Sequence, residues 1–445
     1  MTTVTSPLTS RPVVDPARWP DLAASRARVR RGVERTLARQ LFRSITSRLP
    51  VRGELGDGSR MGGAAHDPAA PLMLLHRPDA FFEALGAGGL IGFGESYMTG
   101  DWDAPDLARL LEVFASRVAT LVPAPLQRLR ALYVARQPVT DRGTSTNAHT
   151  NIARHYDLSN DLFATFLDET LSYSSALFDG QVRPGEPLAG EAVTVSTPAL
   201  AVSWDDLVPA QQRKVDRVLD AAGVVEGTRV LEIGTGWGEL AIRAAARGAR
   251  VTTVTLSGEQ QALARQRVRD AGYDDRVDVE LLDYRAVRGQ YDAVVSVEMV
   301  EAVGREFWQE YAQTLDRVLA PGGRVAIQAI TMPHDRMLAT QHTYTWINKY
   351  IFPGGFLPST EALENVTREH TTLRLVDRLS FGQHYAETLR LWDEQFLAHL
   401  DEVCRLGFDE VFHRMWHFYL EYSRAGFQCG YLDVQQLVFT REGGR

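Results

Sequence analysis

VLEIGTGWGEL, running from Val230 to Leu240, is the stretch whose reading decides the fold. Arg229–Ile233 is a short β-branched run. It stops at Gly234-Thr235-Gly236-Trp237-Gly238, and a helix-forming stretch follows through Arg247. The order is a buried strand, a glycine turn and a helix. Glycines there let the backbone approach a ligand closely, and amide N–H groups at the helix start line the turn. A dinucleotide fingerprint spaces its glycines G-x-G-x-x-G. Here the spacing is G-x-G-x-G, with acidic Glu232 on the strand, which departs from the nicotinamide pattern. Outward from this point, Gln211–Ala222 and Glu259–Ala271 read as helices. Val251–Leu256, Val277–Leu282, Ala293–Val297 and Arg324–Ala329 read as strands. Repeated β-α units predict an α/β, Rossmann-like domain: a mostly parallel sheet with helices on both faces.

The chain has 445 residues, more than one domain usually holds. The reading divides it into a flexible tail (1–20), a smaller N-terminal domain (21–136), a polar linker (137–148) and a catalytic domain (149–445). Residues 51–70 and Gln181–Ala201 read as loops. Hydrophobic residues at 44% and charged residues at 23% exclude a disordered chain and a coiled-coil rod. No run approaches the ~18 apolar residues of a membrane-spanning helix. A net charge of −8 implies no general polyanion-binding surface, and no nucleic-acid partner is expected. Two cysteines, Cys404 and Cys429, make no disulfide framework, and no signal peptide is seen, so a cytoplasmic location is expected.

One segment stands out from this acidic background. Val33, Leu37, Leu41, Ile45 and Leu49 recur every four residues, as do Arg31, Arg35, Arg39 and Arg43 on another face. Such a basic amphipathic helix either docks on anionic lipid headgroups or packs its stripe on its own domain.

The glycine turn resembles motif I of S-adenosylmethionine-dependent methyltransferases, and three further pieces stand in the expected order. The resemblance implies that Glu232, Gly234, Gly236 and Gly238 form the cofactor turn. It puts Thr255, Leu256 and Gln260 near the ribose hydroxyls. Asp283 would accept from the adenine amino group and Tyr284 would cover the ring. Pro321-Gly322-Gly323 would turn into the fifth strand.

Longer segments are similar to one methyltransferase family, the cyclopropane fatty acid and mycolic acid cyclopropane synthases. They include GFGESYMTGDWD (Gly92–Asp103), HYDLSNDLFATFLD (His155–Asp168), LSYSSALF (Leu171–Phe178), VSVEMVEAVG (Val295–Gly304), YIFPGGFLPS (Tyr350–Ser359), HYAETLRLW (His384–Trp392) and GYLDVQQLVF (Gly430–Phe439). The N-terminal segment resembles the lipid-binding domain of the phospholipid-acting members. The resemblance implies a lipid-modifying enzyme that docks on the inner face of the membrane and acts on unsaturated acyl chains. Its methyl donor would be S-adenosylmethionine, with Tyr173 and Ser174 adding to the cofactor site. An alkene attacks the methyl group, and a base then deprotonates the cation that results. In this family the base is bound bicarbonate, and the positions that hold it correspond here to Glu301, Tyr385, Ile330, Gln328 and Ser175. Gln328 stands where the family has histidine, and Ser175 where it has cysteine. The C-terminal cysteine position reads Ser423, which excludes a thiol there.

Those two substitutions favour a methylene product, which a separate reductase would convert to a methyl branch. Closure of a cyclopropane ring stays open, as does a non-catalytic lipid- or cofactor-binding module. A homodimer is also left open. His413 and His417 lie four apart but lack the HExxH glutamate, so no metal is expected. Tyr344, Trp346, Tyr350 and Phe352 are candidates to line an acyl channel, where aromatic faces would shield and stabilise a cation.

Overall fold

The computed structural model describes residue 8 and residues 11–27, 32–121 and 159–442. The expected linker at 137–148, Arg31 and residues 155–158 lie outside the described residues. The chain forms two compact units. One comprises Met1–Ala135, Tyr344–Lys349 and Trp392–Cys429; the other comprises Arg136–Thr343, Tyr350–Leu391 and Gly430–Arg445. The division is therefore not sequential. Two stretches from inside the expected catalytic domain belong to the first unit.

The first unit holds a small sheet of β1 (Arg52–Leu55), β2 (Arg60–Met61), β3 (Leu72–Leu75) and β4 (Trp102–Asp103), in the order β2-β1-β3-β4. Residues 51–70, expected to be loop, thus contribute two strands. An aromatic cluster fills this unit: Phe42, Phe81, Phe82, Phe93, Tyr97, Trp102 and Phe418 meet at ring separations of 4.6–6.4 Å. Fully buried Arg414, on the helix Glu410–Gln428, ties the unit together. Its guanidinium donates to the carbonyls of Leu8, Tyr97 and Trp102, pairs with Asp103, and lies 4.4 Å from the centre of the Tyr97 ring. Residues read as a loose tail are anchored where they are described. Leu8 is buried, and Trp19 Nε1 donates to Asp409 at 2.8 Å.

The basic helix spans Gly32–Thr46, but its faces are used differently from the expectation. Ala38, Phe42 and Thr46 are the buried positions, with Phe42 against Phe81 and Phe82. Leu37 and Leu41, which the four-residue period placed on the packing stripe, are 60% and 42% exposed. Arg35 pairs with Asp79 and Glu83, and Arg39 lies over the Phe82 ring. Arg43 and Arg48 are exposed.

The second unit is built on a nine-stranded sheet. Its strands are β5 (Gly180–Pro184), β6 (Ala192–Pro198), β7 (Arg229–Ile233), β8 (Arg250–Thr255), β9 (Val277–Leu281), β10 (Tyr291–Val297), β11 (Leu319–Thr331), β12 (Leu373–Ser380) and β13 (Asp433–Arg441). Their order is β5-β6-β12-β13-β11-β10-β7-β8-β9. Strands β9, β8, β7, β10 and β11 run parallel, and β13 runs antiparallel between β11 and β12. Side chains alternate across the sheet, as the pleat requires. Leu231, Ile233 and Val294 point into one core layer, with Trp308 and Leu315 of a covering helix. Val230, Ala293 and Val295 point into the other, with Val215, Leu219 and Ala244. Burial on both faces explains why these strands read as nearly unbroken apolar runs.

The expected strand at Val230 has its predicted bounds, and the other four are found with shifted ends. Two features differ. Gln181–Ala201 is mostly the hairpin β5–β6, an edge whose first strand is exposed along its whole length and so carries no hydrophobic pattern. Pro321-Gly322-Gly323 is an irregularity inside β11, where the ladder steps from Tyr291↔Leu319 to Ala293↔Arg324.

Candidate active site

The order of the parallel strands reverses between β7 and β10, and the crevice beyond the strand ends at such a point is the general ligand position of open α/β sheets. The glycine turn follows β7 there. Gly236 has φ +51°, and a Cβ built on it would meet no atom within 4 Å, so this backbone is open to close approach. At Gly234 a Cβ would lie 2.5 Å from Met299 Cγ, so the turn after β7 packs directly on the segment after β10. Trp237 is buried; its Nε1 donates to Asn160 at 2.8 Å and its ring lies 5.0 Å from Phe163.

Glu232 is buried at the end of β7, and its Oε2 has no hydrogen-bond partner among the described residues. Burial pushes its carboxyl up to about 8. A buried carboxyl oxygen without a donor costs free energy unless a ligand supplies one. The ammonium and hydroxyl donors of S-adenosylmethionine suit that acceptor. Together with the open Gly236 backbone, Glu232 fits this cofactor.

The other expected cofactor residues divide. Thr255 Oγ1 donates to Gln260 Oε1 at 3.0 Å, and Ser257 Oγ caps the helix Gly258–Asp270 by accepting from Gln260 N. The Gln260 side chain thus sits against Thr255, buried at the start of the helix, while Leu256 stays half-buried at the strand end. Asp283 carries a bidentate pair with Arg285. Tyr284 sits in the core with its ring 5.4 Å from Tyr311, so it does not offer its face as expected; core packing takes precedence. Tyr173 packs edge-on against Phe163, and Ser174 Oγ accepts from Lys214 Nζ at 2.6 Å.

Three of the five positions expected to hold an anion converge on a group that the sequence reading passed over, and the other two, Ile330 and Glu301, bond to each other. Glu298 is the first residue after β10. Its Oε1 accepts from Ser175 N (2.9 Å) and Gln328 Nε2 (2.8 Å), and its Oε2 accepts from Tyr385 Oη (2.8 Å). Ser175 takes part through its backbone amide; its hydroxyl donates to the Ala176 carbonyl, so it does not replace a thiol aimed into the site. Ile330 donates its backbone N–H to Glu301 Oε1, while Glu301 Oε2 is buried without a hydrogen-bond partner among the described residues. Burial, reinforced by the Glu298 carboxylate, pushes Glu301 up to about 8. Burial raises Glu298 as well, opposed by the hydrogen bonds from Ser175, Gln328 and Tyr385 and by the charge of Lys214.

Supporting residues lock this arrangement. Ala176 N donates to Thr388 Oγ1 and Phe178 N donates to His384 Nδ1, which pins residues 176–178 to the turn of helix that carries Tyr385. His384 is buried and drawn down to about 4, so it is neutral and Nδ1 can accept. Gln328 Oε1 accepts from Gln436 Nε2, and Gln436 Oε1 accepts from Arg217, itself paired with Asp377. That relay fixes which way the Gln328 amide points. Lys214, buried and lowered to about 8 by desolvation, places a cation near the acidic cluster. Sequence reasoning missed Glu298, Gln436 and Lys214. The four aromatic channel candidates are divided between the two units, and Trp346 is buried against Phe418.

These donors do not fit bicarbonate. The Tyr385 hydroxyl, the Gln328 amide and the Ser175 amide end on Glu298, and the Ile330 amide ends on Glu301. A further anion would meet two carboxyl groups and no donor of this set.

The family profile described as mycolic acid cyclopropane synthetase matches residues 144–437. The chain belongs to this family. It is similar to the tuberculostearic acid methyltransferase UfaA1 of Mycobacterium tuberculosis, with 53% identity over 441 residues covering 99% of each chain. It is 33% identical over 387 residues to the cyclopropane-fatty-acyl-phospholipid synthase of Escherichia coli, covering 86% of this chain and 91% of that one. Among solved structures, the cyclopropane synthase MmaA2 from Mycobacterium tuberculosis is 28% identical, with a TM-score of 0.56, covering 65% of this chain and 97% of its own. The mycolic acid cyclopropane synthase CmaA1, solved with SAH and CTAB, is 27% identical with the same TM-score and coverage. Like the rest of the family, this chain is an S-adenosylmethionine-dependent methyltransferase, and that activity removes the non-catalytic alternative.

Proposed function

We propose that the chain methylates the cis double bond of an unsaturated acyl chain carried by a membrane phospholipid, and releases a methylene-branched acyl chain. The observation that carries this reading is full-length similarity at 53% identity to a tuberculostearic acid methyltransferase, combined with a hydrogen-bonded carboxylate beside the cofactor turn. S-adenosylmethionine, when bound, supplies an electrophilic methyl group. The chain's own residues hold it through the open backbone at Gly236 and the unpartnered Glu232 oxygen. Methylation of the alkene leaves a cation on a mid-chain carbon, and a hydride shift before proton loss gives the methylene. Reduction to a methyl branch needs a hydride donor and falls to a separate reductase.

The membrane part of the reading rests on the exposed side of the helix Gly32–Thr46. Leu37 and Leu41 face outward there, with exposed Arg43 on the same helix and exposed Arg48 just beyond its end. No helix among the described residues is long and apolar enough to cross a membrane, so docking is peripheral in this reading. A second reading, ring closure on the same substrate, is favoured by the 33% identity to the Escherichia coli synthase.

The test is to incubate the full chain with dioleoyl phosphatidylglycerol vesicles and a 13C-methyl donor, and to read the lipid by carbon NMR. An alkene methylene signal supports the proposal. A shielded ring carbon alone assigns the second reading, and unlabelled lipid refutes both.

A further inference from the structure

Glu298 lies in an unusual backbone state. Its φ is +51°, one of three non-glycine residues among those described with positive φ, and β-carbon sterics disfavour that region. Strain of this kind persists where surrounding contacts over-determine it, and it clusters at functional sites. The surrounding contacts here are the three donors on its carboxylate. As a residue Glu298 is half-buried, whereas Glu301 beside it is buried. Glu298 therefore combines a fixed orientation with three donors that favour its ionised form.

We propose that Glu298 is the base of the reaction, a carboxylate that the chain itself supplies in the place where the family resemblance implies bound bicarbonate. This inference rests on the function proposed above. The alkene π pair forms the bond to the donor's methyl carbon, and the sulfur keeps the pair of the broken S–C bond. A hydride then migrates with its electron pair from the newly methylated carbon to the neighbouring cationic carbon. Glu298 takes a proton from the new methyl group, and the C–H pair becomes the methylene double bond. The proton leaves the Glu298 carboxyl to solvent, so no oxidant or reductant is consumed. Without the hydride shift, the same proton loss closes a ring, so the role of Glu298 is independent of the product.

Burial raises the carboxyl's proton affinity above the ordinary glutamate range, opposed by the hydrogen bonds from Ser175, Gln328 and Tyr385 and by the charge of Lys214. A base needs both: enough basicity to accept the proton, and enough anion stabilisation to be ionised beforehand. Glu301 beside it makes no hydrogen bond with the three donors and is held largely neutral by burial.

Two substitutions test the assignment. Glu298→Gln keeps size and removes basicity. Glu298→Gly suits the positive φ, so the turn relaxes, and it leaves three donors around a space the size of a small carboxylate. Turnover is measured on oleoyl phospholipid vesicles, in buffer purged of carbon dioxide and again with added bicarbonate or formate. Calorimetry with S-adenosylhomocysteine reports the fold of each variant. Wild-type turnover should not depend on bicarbonate. Glu298→Gln should lose about 10²–10⁴-fold, the usual worth of general acid–base catalysis, with nucleoside affinity unchanged. Glu298→Gly should be similarly slow in purged buffer and should recover with bicarbonate or formate. Bicarbonate-dependent wild-type turnover would overturn the proposal even if neither variant folded, as would a Glu298→Gln enzyme within a few-fold of wild type. If wild-type protein labels no lipid, the functional reading itself falls, and this assignment with it.

Discussion

Consider Gly236→Asp, which separates a ligand-facing glycine from a packing one. At φ +51° a side chain costs roughly 1–2 kcal/mol, and aspartate is among the residues that visit this region most readily, so the lower end applies. The added Cβ would meet nothing within 4 Å, so no clash is added to that cost. A loss of ~1 kcal/mol lowers the melting temperature by only about 2–4 °C for a domain of 150–250 residues. Cofactor affinity should respond very differently. The new carboxylate would occupy the open space over the turn where the cofactor approaches the backbone. A loss of at least 100-fold is expected, which is ~2.7 kcal/mol. Titration calorimetry with S-adenosylhomocysteine, paired with thermal melting, reads both quantities. Gly234→Ala is the contrast, because its Cβ would lie 2.5 Å from Met299 Cγ. Overpacking typically costs 1–3 kcal/mol beyond the backbone strain, so this variant should lose the larger share of stability. Unchanged affinity in Gly236→Asp, or a melting loss exceeding that of Gly234→Ala, would refute the assignment of the turn.

Three further outcomes follow from the geometry. Glu301 and Glu232 are both pushed up to about 8 by burial, so the folded state holds protons that the unfolded chain releases near 4.5. Their contribution makes stability fall as pH rises from about 4.5 to 8; Glu301→Gln should flatten that slope in melting curves, and an unaltered slope would show that Glu301 is ionised throughout. Arg414→Met strips donors from three carbonyls and the partner from Asp103, and should destabilise the first unit by about 3–5 kcal/mol in denaturant titrations. Less than 1 kcal/mol would mean that water replaces the guanidinium. Replacing Leu37 and Leu41 with Asp should leave stability within about 0.5 kcal/mol and weaken binding to anionic vesicles, whereas Arg35→Gln should cost ion pairs to Asp79 and Glu83 without comparable loss of binding; equal vesicle binding by all variants would remove the docking role.

Local grammar made much of the sheet legible. Arg229–Ile233 needed only its apolar run and the glycine after it, because a strand buried on both faces leaves no other pattern. The β5–β6 hairpin was not legible, since an exposed edge rich in glycine and proline looks like a loop. The helix Gly32–Thr46 was found with its phase wrong. A strict four-residue period drifts around a 3.6-residue helix, and Phe42, off that stripe, makes the aromatic contacts. In the site, Tyr385, Gln328 and the Ser175 amide were placed in one cluster by resemblance, and they do converge. What they converge on was hidden. Glu298 and Glu301 lie three residues apart in EMVE, and only the left-handed turn at Glu298 separates their destinations. Likewise, the relay through Gln436 depends on its pairing with Gln328 across two strands distant in sequence.

The position of Arg414 has a bearing on biosynthesis. Its carboxylate partner Asp103 lies 311 residues earlier in the chain. At translation rates of about 5–20 residues per second, Asp103 precedes that arginine by roughly 15–60 s. During this interval Phe93, Tyr97 and Trp102 have been synthesised, while Phe418, their partner from the late helix, has not. The nascent N-terminal segment thus waits with part of its aromatic surface uncovered. For the same reason, a fragment ending before the helix Glu410–Gln428 should aggregate when expressed alone, and supplying that helix in trans should rescue it.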